Sequence, residues 1–432
     1  MTRHQSWITG SLCSSTTATA TAVSLSDDST TTCSSSSSTA SSLSSLQSNL
    51  SLQTHPSLPS LQKSPADYAP YSTTAASPTA ADFHCSNTFR PRPDLPITCL
   101  VVNGDLLYAA SGHQITVYHR ATGALLESFN DAASAADGGS VKAVAFLDGK
   151  AFSAHQDGKI RAWKPSAERR RHKFLAALPT AADKLRHLAF PSSYVTVRRH
   201  RKILKIQHAD AVAALAGGGG GAIYSVSWDR SLKIWSASSL RCLDSIPRAH
   251  DDAVSAVAVS TDGTVYTGSA DRRIRVWSKP DPTRQRHALV ATLERHKSAV
   301  NALALNDDGS VLFSGSCDRS ILVWEREDSA SHMAVTGALR GHGQAVLCLI
   351  NVCDLLISGS ADRTVRIWRR SSVDAKYGCL AVMEGHKKAV KSLAAVEGED
   401  GVVWVYSGSL DGEVRVWQVS VPKPCSRPEI II

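Results

Sequence analysis

The stretch HDDAVSAVAVSTDGTVYTGSADRRIRVW, from His250 to Trp277, is a repeat unit, because its pattern returns throughout the last two-thirds of the chain. Close copies occupy residues 296–324, 342–368 and 386–417, and looser copies occupy residues 97–118, 140–163 and 208–235. Except across one insertion, the aromatic residues that end the seven copies lie 42 to 49 residues apart. This is the period of four-stranded propeller blades. The repeat therefore predicts an all-β, seven-bladed β-propeller.

Composition narrows the class of protein. With 432 residues, 43% of them hydrophobic, the chain can bury a large core. No apolar run approaches the roughly 18 to 20 residues that span a bilayer, and the amino-terminal segment lacks the apolar core of a signal peptide. The ten cysteines include no Cys-x-x-Cys pair, so neither a zinc site nor a disulfide framework is indicated. We expect reduced thiols and a cytoplasmic or nuclear location, or both.

Residues 1–82 form a Ser/Thr-rich leader. Ser and Thr supply 37 of these positions, whereas aromatic and branched apolar residues are sparse. Such a segment cannot offset the entropy lost on ordering, so we expect it to be disordered. An organellar transit peptide is the alternative, although Arg3 is the only Lys or Arg before Asp27.

Residues 83–421 carry the propeller pattern of short apolar runs separated by Gly, Asp and Ser, and residues 422–432 form a short tail. Strands such as 254–259 are apolar at nearly every position, which indicates burial on both faces. The last blade lacks a fourth strand after Trp417. The segment FHCSNTF (residues 83–89) is expected to supply it and close the ring, which would remove the exposed sheet edges.

One insertion breaks the repeat, since Trp163 and Trp235 lie 72 residues apart. The excess, at about residues 165–206, is basic and contains two apolar runs, 194–197 and 203–206, around the turn 198–202. We expect a β-hairpin whose second arm is the outer strand of blade 2. Loops this long are usually functional or disordered, and the strand pattern argues against disorder.

Blades 3 to 7 each contain an opening His, an Asp in a tight turn, and a Trp six residues after the Asp. These residues are His208, Asp229, Trp235; His250, Asp271, Trp277; His296, Asp318, Trp324; His342, Asp362, Trp368; and His386, Asp411, Trp417. Each of these blades also has two hydroxyls just before the Asp. An indole, a hydroxyl, an imidazole and a carboxylate can form one donor-to-acceptor chain, so we expect structural tetrads.

A Ser, a His and an Asp in one unit are also the components of a hydrolase triad. A catalytic triad is needed once, whereas this set appears five times and no Gly-x-Ser-x-Gly elbow accompanies it. The run Gly217–Gly221 lacks the Gly-Lys-Ser/Thr of a phosphate loop and is expected to be a turn. We therefore expect no catalytic residues, no metal, no cofactor and no small-molecule substrate.

The repeats resemble those of WD-repeat β-propellers, on the strength of Gly-His at residues 341–342 and 385–386 and of SGSxD before IRVW-like strands. That resemblance implies that His, Ser or Thr, Asp and Trp form a structural tetrad. Blade 1 departs from the pattern with Gly112 and Tyr118, and blade 2 has no opening His. The segments SLPSLQKSP, VRRHRKILKIQHADAVAAL and SWDRSLKIW are similar to the plant JINGUBANG-like WD-repeat family, which implies a non-enzymatic regulator with protein partners, transcription regulators among them.

The residue after the turn Asp is Arg in four consecutive blades: Arg230, Arg272, Arg319 and Arg363. Equivalent turns of a propeller emerge on one face, so the sequence predicts a basic arc suited to forked contacts with carboxylates or phosphates. The alternative is that each Arg pairs with a nearby acid such as Asp251 or Asp252. A second candidate site is the basic turn of the extension: Arg198, Arg199, Arg201 and Lys202.

The expected function is a non-catalytic scaffold that binds protein partners through the propeller face. The net charge of +9 leaves direct binding of nucleic acid or acidic lipid as the alternative.

Overall fold

The computed structural model describes residues 81–130, 139–166, 171–190, 193–198, 201–279, 286–327, 332–371, 375–398 and 401–421. The leader, up to residue 80, and the tail, from residue 422, lie outside these ranges.

Seven four-stranded antiparallel sheets follow one another along the chain, so the all-β, seven-bladed propeller is confirmed. The first strand, β1 (Asp82–Phe89), belongs to the last blade. Blade 1 contains β2 (Ile97–Asn103), β3 (Leu106–Ser111), β4 (Gln114–His119) and β5 (Leu125–Phe129). Blade 2 contains β6 (Val141–Leu147), β7 (Lys150–His155), β8 (Ile160–Ser166) and β9 (Arg171–Leu178).

The helix α1 (Ala181–Leu188) and a hairpin of β10 (Tyr194–Arg198) and β11 (Arg201–Leu204) then interrupt the blades. Blade 3 contains β12 (Val212–Gly218), β13 (Ala222–Ser227), β14 (Leu232–Ser236) and β15 (Cys242–Ile246). Blade 4 contains β16 (Val254–Val259), β17 (Val265–Ser269), β18 (Arg273–Ser278) and β19 (Ala288–Glu294).

Blade 5 contains β20 (Val300–Leu305), β21 (Val311–Ser316), β22 (Ile321–Arg326) and β23 (Met333–Leu339). Blade 6 contains β24 (Val346–Val352), β25 (Leu355–Ser360), β26 (Val365–Arg370) and β27 (Tyr377–Met383). Blade 7 contains β28 (Val390–Glu397), β29 (Val402–Ser409) and β30 (Val414–Ser420), completed by β1.

The core lies between neighbouring blades. The terminal Trp of each repeat packs against the blade before it, as Trp277 does with Val226 and Leu232 of blade 3 and Trp368 with Phe313 of blade 5. Every residue of β13, β17, β21 and β25 is buried. Burial on both faces explains why these strands do not alternate between apolar and polar residues.

The ring is closed by the amino-terminal strand. Strand β1 pairs with β30 in antiparallel register from Asp82 opposite Ser420 to Phe89 opposite Val414. Phe83 lies edge-on to Trp417, with ring centroids 6.4 Å apart, and Arg90 forms an ion pair with Glu413. The expectation that residues 83–89 supply the missing outer strand is confirmed.

The expectation for the insertion is wrong in part. A basic hairpin is present as β10 and β11, but it forms a two-stranded sheet of its own. The outer strand of blade 2 is β9, which pairs with β8 from Ile160 opposite Leu178 to Ser166 opposite Arg171. A strand that follows β8 after a short connection pairs with it at less entropic cost than one that returns after a long excursion. We call residues 179–207, which hold α1 and the hairpin, the rim insertion.

The glycine run contributes to both a strand and a turn. Gly217 and Gly218 end β12, and Gly219–Gly221 form a single 3-10 turn before β13. Gly220 and Gly221 have φ angles of 69° and 70°, in the left-handed region that glycine adopts without strain.

No helix in the described ranges is long and apolar enough to cross a membrane. The seven cysteines in these ranges are all free thiols.

Candidate partner-binding face

The tetrad residues of blade 5 form one hydrogen-bonded chain. Trp324 Nε1–H donates to Ser314 Oγ at 2.8 Å, and the Ser314 hydroxyl donates to His296 Nε2 at 2.7 Å. His296 Nδ1 lies 2.9 Å from Asp318 Oδ2. Because an ionised carboxylate can only accept, His296 Nδ1 carries the proton of this hydrogen bond.

The same chain recurs in blades 3, 4, 6 and 7, where the Trp-to-hydroxyl distances are 2.8 to 2.9 Å and the hydroxyl-to-imidazole distances are 2.7 to 2.8 Å. The imidazole-to-carboxylate distances are 2.8 to 3.3 Å. The hydroxyl in the chain is always the first of the two before the Asp: Ser225, Thr267, Ser314, Ser358 and Ser407.

The second hydroxyl has a different task. In blade 5, Ser316 Oγ accepts the Asp318 N–H at 3.1 Å and donates to the Ser298 carbonyl at 3.1 Å. It thereby holds the tight turn against the loop that carries His296. The equivalent hydroxyls do the same in the other four blades: Ser227, Ser269, Ser360 and Ser409.

Burial and hydrogen bonding in the tetrads shift the pKa values of their Asp and His residues. Burial alone would raise the pKa of Asp271, but the hydrogen bonds from His250 and from backbone amides outweigh it and lower that pKa to about 2. Burial lowers the pKa of His342, although the hydrogen bond to Asp362 opposes the change. The carboxylates are therefore charged at neutral pH. Ser314 is completely buried, so its hydroxyl joins blade strands in the interior, where no substrate reaches it.

Blade 2 retains most of the network by a substitution that sequence reasoning missed. Trp163 Nε1–H donates to Ser153 Oγ at 2.9 Å, and Ser153 Oγ lies 2.8 Å from Nε2 of His155. His155 stands where other blades have the second hydroxyl, two residues after the first. Burial lowers its pKa to about 3, and Asp157 pairs with Arg161 at 2.9 Å instead. The sequence did offer a signal for this role of His155: the spacing Ser-x-His-x-Asp in a repeat that lacks an opening His.

Blade 1, whose strands all lie in the described range 81–130, has no equivalent network there. Ala109 occupies the position of the first hydroxyl, and Tyr118 replaces the Trp. Tyr118 instead packs against Phe89 of β1, with ring centroids 4.6 Å apart and ring planes tilted by 44°. Blade 1, which departs most from the repeat pattern, therefore packs its terminal aromatic residue against the closing strand.

In each of blades 3 to 6, an arginine directly follows the tetrad Asp in the turn between the second and third strands. Arg230, Arg272, Arg319 and Arg363 are exposed and have φ angles of 72° to 74°. Within the described ranges none of them makes an ion pair or a side-chain hydrogen bond. Asp251 instead pairs with Arg273 at 2.7 Å and with Arg275 at 3.3 Å. We call the surface formed by these four residues the arginine face.

Further groups on this side of the propeller were not singled out by sequence reasoning. Trp228 is 42% exposed in the turn beside Arg230, and Lys142 Nζ lies 5.5 Å from the centre of its ring. Burial lowers the pKa of Lys142, and the neighbouring Lys391 lowers it further. An exposed indole beside these cations suits a ligand with both aromatic and anionic groups.

The basic turn of the extension lies elsewhere. Arg198 and Arg201 are opposite each other at the ends of the hairpin strands, and Lys202 is exposed in β11. Arg199 lies outside the described ranges. The hairpin is attached to the outer edge of blade 3, because the Lys205 carbonyl accepts from Ser245 Oγ of β15 at 2.7 Å.

One group in the described ranges has the geometry to hold a metal ion: His386, Asp411 and Glu413, whose ligand atoms lie within 4.8 Å of one another. The Glu413 carboxylate already accepts from Arg90 and from Arg415, so two guanidinium groups compete with any cation there. His386 and Asp411 are members of the blade 7 tetrad.

The family model for the WD domain, G-beta repeat (WD40), matches residues 240–278, 287–325, 334–369 and 377–418. Each match begins at the outer strand of one blade and ends with the third strand of the next. No curated protein matches the chain significantly. With these four matches and seven four-stranded blades, the chain is a WD-repeat β-propeller.

Proposed function

We propose that this protein is a non-catalytic scaffold whose arginine face binds acidic segments of partner proteins. WD-repeat propellers generally serve as platforms for protein interactions, and the arginine face is the surface of this one that best fits a specific partner. The observation that carries the proposal is that all four guanidinium groups are exposed and unpaired within the described ranges. A planar guanidinium presents forked donors that match carboxylates and phosphates.

Backbone conformation supports the proposal. The four arginines have left-handed φ angles, and blades 2 and 7 have Gly158 and Gly412 at the equivalent position, with φ angles of 78° and 81°. A non-glycine residue in this region costs on the order of 1 kcal/mol. Glycine would relieve that cost, so four strained arginines in consecutive blades favour a role in binding over a role in stability.

Charge near the face also supports the proposal. The acids that could neutralise the arginines have other partners, such as Asp271, which accepts from His250. Lys142 and Lys391 add positive charge, and Trp228 adds an exposed ring. Similarity to the plant JINGUBANG-like family favours a regulatory role, with transcription regulators among the partners.

Replacing all four arginines by alanine should abolish capture of the main partner from a nuclease-treated extract of the source tissue. Melting temperature should stay within a few degrees, because exposed, unpaired side chains contribute little to stability. The charge-matched control replaces Lys150, Lys164, Lys279 and Arg286, which lie near the opposite ends of the strands. Capture by the control should equal that of the wild type. Retention of the partner by the arginine variant at physiological salt would exclude this face as the site.

A further inference from the structure

The rim insertion presents three large apolar side chains to solvent, although its Leu204 and Ile206 are buried. Leu185 is 71% exposed, Leu188 is 58% exposed and Phe190, two residues beyond α1, is 59% exposed. Leu185 and Leu188 are three positions apart and therefore share one face of the helix. The residue of α1 that is buried is the acid Asp183. The helix thus buries an acid and exposes its two leucines, the reverse of the usual arrangement.

The insertion is nevertheless firmly attached. Thr180 caps α1 by accepting the Asp183 N–H at 3.1 Å, and the Asp183 carboxylate accepts the Cys242 N–H of β15 at 2.8 Å. At the other end, the Lys205 carbonyl accepts from Ser245 Oγ and from the buried Lys233 Nζ. The insertion therefore covers part of the free edge of blade 3, as edge strands require. The exposed side chains of Leu185 and Leu188 take no part in that attachment.

The exposed surface of the insertion is cationic as well as apolar. Residues 179–207 contain seven Lys or Arg and one acid, and that acid is the buried Asp183. Lys202 of β11 and Lys205, which directly follows that strand, are exposed, and Arg186 is exposed beside Leu185. Tyr194 Oη donates to the Leu188 carbonyl at 3.2 Å, which holds the base of the hairpin against the end of α1.

Three kinds of partner can be compared on these features. Nucleic acid offers phosphates but no aliphatic medium for Leu185 and Leu188. A second copy of the chain would place two cationic surfaces against each other. An anionic bilayer offers acyl chains for protruding leucines and phenylalanine, and charged headgroups for the surrounding cations.

We propose that the rim insertion is a membrane-surface contact that places Leu185, Leu188 and Phe190 at the acyl boundary of an anionic lipid bilayer, with Arg186, Lys202 and Lys205 at the headgroups. The arginine face would remain open to protein partners, since it lies at the turns between the second and third strands, away from the outer edge of blade 3. The protein would then assemble its partners at an acidic membrane surface. This surface is independent of the arginine face, so either can fail alone.

Vesicle flotation of the full chain tests the proposal. Partition into phosphatidylcholine vesicles with about 30% phosphatidylserine should exceed partition into pure phosphatidylcholine by about tenfold or more at about 0.15 M salt. The triple variant Leu185→Gln, Leu188→Gln and Phe190→Gln should bind the anionic vesicles about tenfold more weakly. The matched control, Leu125→Gln with Leu289→Gln, changes exposed apolar residues on other outer strands and should bind as the wild type does.

A second variant, Lys202→Gln with Lys205→Gln, keeps the apolar residues and should lose the preference for phosphatidylserine. Equal partition into both vesicle types, or equal binding by wild type and the apolar triple variant, would overturn the proposal. The surface would instead belong to a second copy if the wild type sediments as a dimer and binds no vesicles, and if only the triple variant sediments as a monomer. The surface would belong to nucleic acid if a short DNA duplex displaces the wild type from vesicles and binds the triple variant as tightly as the wild type.

Discussion

Replacing Asp318 by alanine removes the acceptor on which the blade 5 tetrad ends. Its carboxylate accepts from His296 Nδ1 at 2.9 Å, from the Lys297 N–H at 2.9 Å and from the Ser320 N–H at 3.0 Å. The His296 side chain is 1% exposed, so water cannot replace the lost acceptor there. One buried donor left unpaired costs about 1 to 3 kcal/mol, and the two half-exposed amides add about 0.5 kcal/mol each. We expect Asp318→Ala to lower the free energy of unfolding by about 2 to 4 kcal/mol.

Urea unfolding and calorimetry measure this change. For a propeller of about 340 residues, 2 to 4 kcal/mol corresponds to a fall in melting temperature of roughly 3 to 6 °C. The control is Asp307→Ala, which changes the same residue type in the exposed turn between β20 and β21 and should be near neutral. Equal stabilities of the two variants would refute a stabilising role for the tetrad.

Two further predictions concern acid and ring closure. Burial lowers the folded-state pKa of His155 to about 3, so its contribution is complete above the unfolded value near 6.5 and is lost as pH falls below it. Lowering the pH from 7 to 5 should therefore reduce the free energy of unfolding by about 2 kcal/mol through this one group. In urea unfolding at the two pH values, His155→Gln should lose correspondingly less stability than the wild type. An equal loss in both proteins would contradict the assignment. Compared with a chain that begins at residue 81, one that begins at residue 90 should melt more than about 10 °C lower, because it lacks the closing strand and the Phe83–Trp417 contact; matching melting curves would show that β1 is dispensable.

The repeat made most of the fold predictable. A period carried by His, Asp and Trp at fixed offsets places three strands in each blade, and the missing strand after Trp417 implies a donor before Ile97. The outer strand β9 was missed because its first residues, Arg171 to Lys173, look like part of a charged loop. In the structure the side chain of His172 is 5% exposed, stacks on Phe129 with ring centroids 4.4 Å apart, and places Nδ1 2.8 Å from the Glu127 carboxylate. Both partners of His172 belong to blade 1, and the sequence pattern around His172 alone cannot reveal contacts with another blade.

For the arginine face, the sequence predicted the positions of the arginines but not their side-chain contacts. The arginines could be placed on one face because they follow an invariant turn position. Whether Arg272 pairs with Asp251 depends on side-chain directions, and the structure gives that acid to Arg273 and Arg275. Trp228 was passed over because a single aromatic before a repeat Asp has no distinguishing pattern. The exposed face of α1 was missed since the helix is short and its one buried residue is an acid.

Photo-cross-linking asks which face the main partner touches. A photoreactive phenylalanine analogue can replace Ala270 or Ala361, each next to the tetrad Asp in a turn of the arginine face, or Thr261 or Asp307, in turns at the opposite ends of the strands. If the arginine face is the binding surface, positions 270 and 361 will cross-link to the captured partner and positions 261 and 307 will not. Cross-links from positions 261 and 307 alone would contradict the proposal.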